Sequence, residues 1–141
     1  MKKTIFLLGI FILLACEDVD KTISDSLKGT TWKLVGFVDV QKDIIKEAEP
    51  KSDKCYVIKF NEDNTLSGIS STNQITGHYI VDSDSLKITI DMHTVTEINE
   101  LYDGNSYLMT INSVHNFSFE EKTLKLYYNE GNNYLLFKAL E

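Results

Sequence analysis

The chain contains no arginine; its fourteen fixed cations are all lysines. The planar fork that grips carboxylates and phosphates bidentately is therefore missing, which argues against phosphate-ligand chemistry. Proline occurs once, at position 50, and cysteine twice, at positions 16 and 55. No apolar run approaches the roughly 20 residues that a spanning helix needs; residues 5–14 form an unbroken run of half that length. A Gly-x-Ser-x-Gly elbow is absent, as is any His-x-x-x-His spacing among His78, His93 and His115. These gaps remove the sequence signatures of serine hydrolysis and of a helical metal site. The 21 acids outnumber the 14 lysines, for a net charge of −7. A surface of that sign opposes nucleic acid, whose binding rests on cations releasing counterions from phosphate.

The start of the chain carries an address. Lys2 and Lys3 precede the apolar run, and Ala15-Cys16 closes it before Glu17 and Asp18. A basic start, a short apolar core and a small residue at the cut are the parts of an export signal. Leu13-Leu14-Ala15-Cys16 looks like a bacterial lipobox, which predicts cleavage before Cys16 and acylation of its thiol, with palmitate as the expected fatty acid. The expected segments are a signal peptide over 1–15, a lipidated tether over 16–28 and one domain over 29–141. Loss of Lys2 and Lys3 would leave a mature charge of −9, so the lipid and not a polybasic patch must hold the membrane. Cys55 would then be the one remaining thiol. It opens the strand-like run 55–60 and reads as a small packed residue.

From Gly29 onward the pattern has a period of two. Trp32 and Leu34 share one side of a strand with Gly36, against Lys33, Val35 and Phe37. Residues 41–54 read as a charged loop with a short helical turn over 44–48. Hairpins follow: 56–60 with 65–70, 75–81 with 86–92, and 116–119 with 123–129, before a closing strand over 134–139. Turn residues stand between them, notably Asn61-Glu62-Asp63-Asn64 and Glu130-Gly131-Asn132-Asn133. One interval differs. After Asp103-Gly104-Asn105-Ser106, the apolar residues Tyr107, Leu108, Ile111 and Val114 recur at three and four, predicting a helix near 105–114 of about three turns. The fold class is mainly β: an antiparallel sheet curled into a barrel or half-barrel, with that helix covering an open end or face.

The run from Gly68 to Tyr79 resembles the signature of META-domain lipoproteins, the group that includes heat-inducible lipoproteins of Gram-negative bacteria. Asn73, Gly77 and Tyr79 stand at that motif's spacing, Gly68 matches its earlier glycine, and Thr31-Trp32-Lys33-Leu34 is similar to the family's Trp-x-Leu start. The last hairpin, 123–129 with 134–137, extends the likeness over about 30–139. Two departures stand out: Ser71-Thr72 replaces the motif's Gly-Cys, and 94–98 carries no cysteine. The resemblance implies an antiparallel β fold with a helix, lipid anchorage in the cell envelope, and no established enzymatic activity. From the spacing of the histidines, cysteines and acids, no cofactor and no metal are expected.

Each motif residue also has an architectural reading: Asn73 in a left-handed bend, Gly77 at a close approach or bend, Tyr79 with a buried ring and a wet hydroxyl, Trp32 in the core against the closing strand. The acids mostly fall in turns, and Asp82-Ser83-Asp84 and Asp103-Gly104-Asn105 lack the spacing of a calcium loop. The function expected is non-enzymatic: a lipid-anchored envelope protein that binds or supports another envelope component. An inhibitor of an incoming lysozyme or protease, and a small-ligand carrier or hydrolase at the barrel mouth, remain alternatives. Glu17, Asp18 and Asp20 directly after the cysteine resemble surface-export signals of some Gram-negative lineages, though in others acids there retain a lipoprotein inside; the location expected is the outer membrane, on its periplasmic or surface face. Cys16→Ser should abolish both acylation and cleavage at this site, read by incorporation of labelled fatty acid. A wild-type protein that takes up no label, or whose mature form begins elsewhere, would refute the lipid anchor.

Overall fold

The structure, a computed structural model, describes residues 25–93 and 99–140. The expected signal peptide, Cys16, most of the expected tether and residues 94–98 lie outside the described residues. Among the described residues, nine strands run in chain order: β1 (Thr31–Asp39), β2 (Ile44–Glu47), β3 (Val57–Phe60), β4 (Thr65–Ile69), β5 (Gln74–Asp82), β6 (Ser85–His93), β7 (Asn116–Glu120), β8 (Thr123–Tyr128) and β9 (Asn133–Ala139). Helix α1 (Gly104–Ile111) lies between β6 and β7. All pairings are antiparallel, and β1 pairs with β9, so eight strands close into a barrel with β2 added beside the second half of β1. Closure removes the open sheet edges that a curled half-barrel would leave.

The period-two pattern dictates what fills it. Trp32, Leu34, Ile58, Phe60, Leu66, Ile75, Tyr79, Leu86, Ile88, Leu124, Leu126, Leu135 and Phe137 are all buried. Between them in the chain, Lys59, Thr76, His78, Lys87 and Asp91 face water. An apolar interior inside a polar wall is the inverse of a membrane-spanning barrel, whose apolar band faces outward. Eight strands enclose about as much space as side chains can fill. Phe60 and Tyr79 meet edge to face at 5.0 Å between ring centroids, and Trp32 meets Phe119 at 5.4 Å.

Four sequence expectations change. Residues 44–47 form strand β2 and not a helical turn, because the upper half of β1 offers them a ladder from Gly36↔Glu47 to Asp39↔Ile44. A bulge between Leu34 and Gly36 reverses the alternation, which brings Phe37 against the core. The helix is eight residues long and stops at Ile111. There the Asn112 side chain turns back, donating to the Leu108 carbonyl at 3.1 Å and accepting the Ile90 amide of β6 at 3.0 Å. That amide needs a partner because β6 and β7 share one register pair, Ser85↔Asn116. Leu27, within the stretch assigned to the tether, is fully buried in the core.

Gly77 lies at a register shift in the β5–β6 ladder, without positive φ; a Cβ there would collide with the Thr89 carbonyl oxygen. Gly68 bears the same relation to the Val57 carbonyl. The requirement is close strand approach, not a left-handed backbone. Trp32→Ala should cost about 3–5 kcal/mol and Gly77→Val should destabilise by driving β5 from β6. Denaturant unfolding measures both; wild-type midpoints for the two variants would contradict this packing.

Candidate functional site

Beyond one end of β4, a short loop and a distant segment are locked together by buried polar groups. The β4–β5 loop contributes Ser70, Ser71 and Asn73, each buried. Facing them, the Glu100 carboxylate accepts from the Ser70 and Ser71 hydroxyls, from the Asn73 amide at 2.7 Å and from the Ser71 backbone N–H at 3.2 Å. The Ser71 hydroxyl in turn accepts the Leu101 amide at 2.9 Å. Burial pushes the Glu100 pKa up, but the Ser70, Ser71 and Asn73 hydrogen bonds outweigh it and hold the carboxyl below its ordinary value. A Cβ at Gly104 would strike both Glu100 and the Ser71 hydroxyl, so glycine is what lets the helix start this close.

Three residues on, Asp103 makes a second lock. Its carboxylate accepts from Lys46 of β2 and from the Glu49 amide at 3.0 Å, while its own amide donates to the Glu49 carbonyl at 3.2 Å. The side chain is thus spent on β2 and the following loop, not on capping α1; only its backbone carbonyl takes the Tyr107 amide, at 2.8 Å. The same Glu49 carbonyl accepts from the Tyr56 hydroxyl, whose pKa is pushed up to about 12 by burial first and the nearby Asp103 charge second. Tyr56 and Tyr107 meet edge to face at 5.4 Å, joining α1 to the base of β3.

Of the motif residues read from sequence, Asn73 belongs to this network. It holds no left-handed bend, as its φ is not positive; its amide serves Glu100. Tyr79 lies at the other end of β4, where its hydroxyl donates to the Asn61 carbonyl at 2.8 Å and is not left to water. Trp32, Gly68 and Gly77 are wall and core residues; Trp32 sits opposite Ala139 of the closing strand. Cys16 is outside the described residues. Cys55 is buried, its thiol donating to the Ser71 carbonyl at 3.1 Å. His78 pairs with Asp91 at 2.9 Å on the open wall. No three His, Cys, Asp or Glu side chains among the described residues are placed to hold a metal ion.

The sequence gives Glu100 and Lys33 no site role, and it reads Asp103 as turn-and-cap chemistry where the structure uses its side chain as a lock. Lys33 lies on the outer face of β1 yet is buried, because loop 48–56 folds over it and offers the Ser52 carbonyl at 2.8 Å and the Cys55 carbonyl. Burial lowers its pKa, and Lys138, its register partner on β9, lowers it further, against the opposing pull of Cys55 and Asp53. Between the two acidic locks the chain exposes Leu101 and Tyr102, and Tyr102 is 72% exposed with φ at 50°. A left-handed tyrosine is uncommon and costs about 1–3 kcal/mol unless its neighbours impose it. Here Glu100 and Asp103 impose it from either side.

The locks give stability a defined acid limb. A carboxyl whose folded pKa lies below its unfolded one stabilises the fold above the unfolded value, near 4.3 for glutamate, and the gain is lost as pH falls through the folded pKa. Glu100→Gln should therefore cost about 1.5–3 kcal/mol at neutral pH and less in acid. Unfolding midpoints measured from pH 7 to pH 3 test this; an equal deficit at every pH would contradict it.

The family model described as META domain matches residues 25–141. A protein of Tannerella forsythia named "Putative lipoprotein" is 30% identical, over 97% of this chain and 96% of its own length. Among solved structures, a protein from Burkholderia xenovorans superposes with a TM-score of 0.65 at 14% identity, covering 96% of this chain and 99% of that one. A DUF4847 family protein from Bacteroides vulgatus superposes with a TM-score of 0.61 at 16% identity, covering 82% and 96%. The last two share the fold. With the Trp32 start, the Gly68–Tyr79 run and the closing hairpin all placed in one closed barrel, this chain belongs to the META-domain family.

Proposed function

We propose that this protein is a non-enzymatic, lipid-anchored component of the cell envelope that binds another envelope protein through the face carrying Leu101 and Tyr102. The observation that carries the reading is the left-handed, exposed Tyr102 held between two locked carboxylates. Tyrosine offers a large contact area at low entropic cost, and here the backbone beneath it is fixed before any partner arrives. The lipoprotein designation of the Tannerella relative and the Leu13-Leu14-Ala15-Cys16 run support the anchor. We place it in the outer membrane on the strength of Glu17, Asp18 and Asp20.

Geometry favours this reading over its rivals. The described chain enters at Asp25 beside the β3–β4 turn, where Gly29 donates to the Phe60 carbonyl at 2.8 Å. That turn is at the opposite end of β4 from the Ser70–Asn73 loop. On this reading the tether end lies toward the bilayer and Tyr102 away from it. Asp25, Glu62 and Asp63 gather at the tether end, close enough to join burial in raising the Tyr79 pKa. A carrier needs interior space that the packed rings of Trp32, Phe60, Tyr79 and Phe137 already occupy.

A photo-cross-linker replacing Tyr102 in the full chain, expressed in native envelopes, should give a discrete adduct that the same group at Thr76 on the barrel wall does not. Tyr102→Gly should keep or raise the melting temperature, since it relieves the backbone, while abolishing competition for that adduct. Identical adducts from both positions, or none, would sink the proposal.

A further inference from the structure

A second surface, away from Tyr102, has the makings of a ligand site. Around the one register pair that joins β6 to β7, Ser85↔Asn116, the wall carries an open groove of about 390 Å³. Such a volume falls within the ~300–1,000 Å³ of small-molecule sites. Tyr127 lines it, with Asn116, Ser118, Asp84, His115 and Glu130 around it. On the outer face Tyr127 is half-buried and its ring lies 5.4 Å from that of Tyr134, its register partner on β9. The Tyr127 hydroxyl shares a 3.2 Å hydrogen bond with Ser118, which fixes the ring.

Asp84, His115 and Glu130 are exposed around the ring and open to a ligand. Among the described residues the Glu130 carboxylate and the His115 ring make no hydrogen bond or ion pair, and Asp84 has one long contact, 3.4 Å from the Asn116 amide. Glu130 is set there by a turn in which Asn129, Glu130 and Gly131 all have positive φ. An aromatic ring bordered by amide, hydroxyl and carboxylate groups matches one ligand chemistry well. A pyranose offers an apolar C–H face to stack on the ring and a rim of hydroxyls that both donate and accept. We propose that this groove binds a pyranose glycan, a sugar stacking on Tyr127 with its hydroxyls bonded to Asp84, Asn116 and Glu130. No lysine lines the groove, and two acids do, which opposes an anionic sugar. The site goes beyond the protein-binding reading and does not depend on it.

Full-length protein in a non-glycosidic detergent can be titrated with three trisaccharides, followed by saturation-transfer NMR: an N-acetylglucosamine trimer, a neutral glucose trimer and a galacturonate trimer. At least one neutral trimer should bind, with the galacturonate trimer much weaker; the first two arms separate an amino-sugar glycan from a plain hexose one. Tyr127→Ala should weaken binding roughly ten-fold, Tyr127→Phe should largely retain it, and the exposed Glu130→Gln should weaken it several-fold with unchanged melting. Silence from both neutral trimers overturns the proposal. So does equal binding of galacturonate, or wild-type affinity in Tyr127→Ala and Glu130→Gln together. Calcium alone perturbing the groove residues while the sugars are silent would make it a cation site instead.

Discussion

The structure depends on β1 serving three neighbours. Its first residues, Thr31–Lys33, ladder with β3; its last, Gly36–Asp39, ladder with β2; and β9 runs along its other edge for nearly the full length, closing the barrel. A bulge between Leu34 and Gly36 divides the two halves. Because β2 and β3 occupy the same side of β1 in succession, the residues between them must leave the sheet. Loop 48–56 is that departure. It is held at Val35 by the Ala48 amide and at Leu34 by the Tyr56 carbonyl, each at 3.0 Å, and Lys33 ties it down from beneath. The loop then presents Glu49 to Asp103 and Tyr56 to Tyr107. Removing the division of β1 would remove the platform on which segment 99–104 rests.

Much of the barrel was legible because period-two alternation and turn chemistry are local. Leu86 and Ile88 face in and Lys87 faces out whatever else the chain does, and Asn61-Glu62-Asp63-Asn64 turns because Asn64 accepts a positive φ. Strand β2 was not legible. Ile44-Ile45-Lys46-Glu47 is exposed throughout and carries no alternation, so only the presence of β1 beside it makes it a strand. The site was less legible still. Glu100 reaches partners 27 to 30 residues away, and nothing in Asn99-Glu100-Leu101 separates a locked carboxylate from a solvated one. Asn73 was found through its motif, but with the wrong physics: a backbone role was expected where a side-chain amide is used.

The lack of arginine shapes these locks. A buried carboxylate is costly unless its lone pairs are satisfied. Glu100 meets that requirement with two hydroxyls, one amide and one backbone N–H, all neutral donors, and Asp103 with one lysine and one backbone N–H. Neutral donors in fixed positions give directionality without a second buried charge to desolvate. The arrangement also carries the motif's Ser71-Thr72 departure. Where the family's pattern has Gly-Cys, the Ser71 hydroxyl here both donates to Glu100 and accepts from Leu101, so a polar contact joins the loop to the 99–104 segment.

Direction follows from the same connections. On the proposed attachment at Cys16, the eight residues 17–24 reach at most about 30 Å when fully extended. They carry Glu17, Asp18 and Asp20, and the domain end around Asp25 carries Glu62 and Asp63. Acids in both places oppose contact with an anionic lipid surface. In the proposed orientation, the acidity that opposes nucleic acid is a spacer at the tether end. The opposite end, with its locked backbone and exposed Tyr102, is then the one left to the proposed partner.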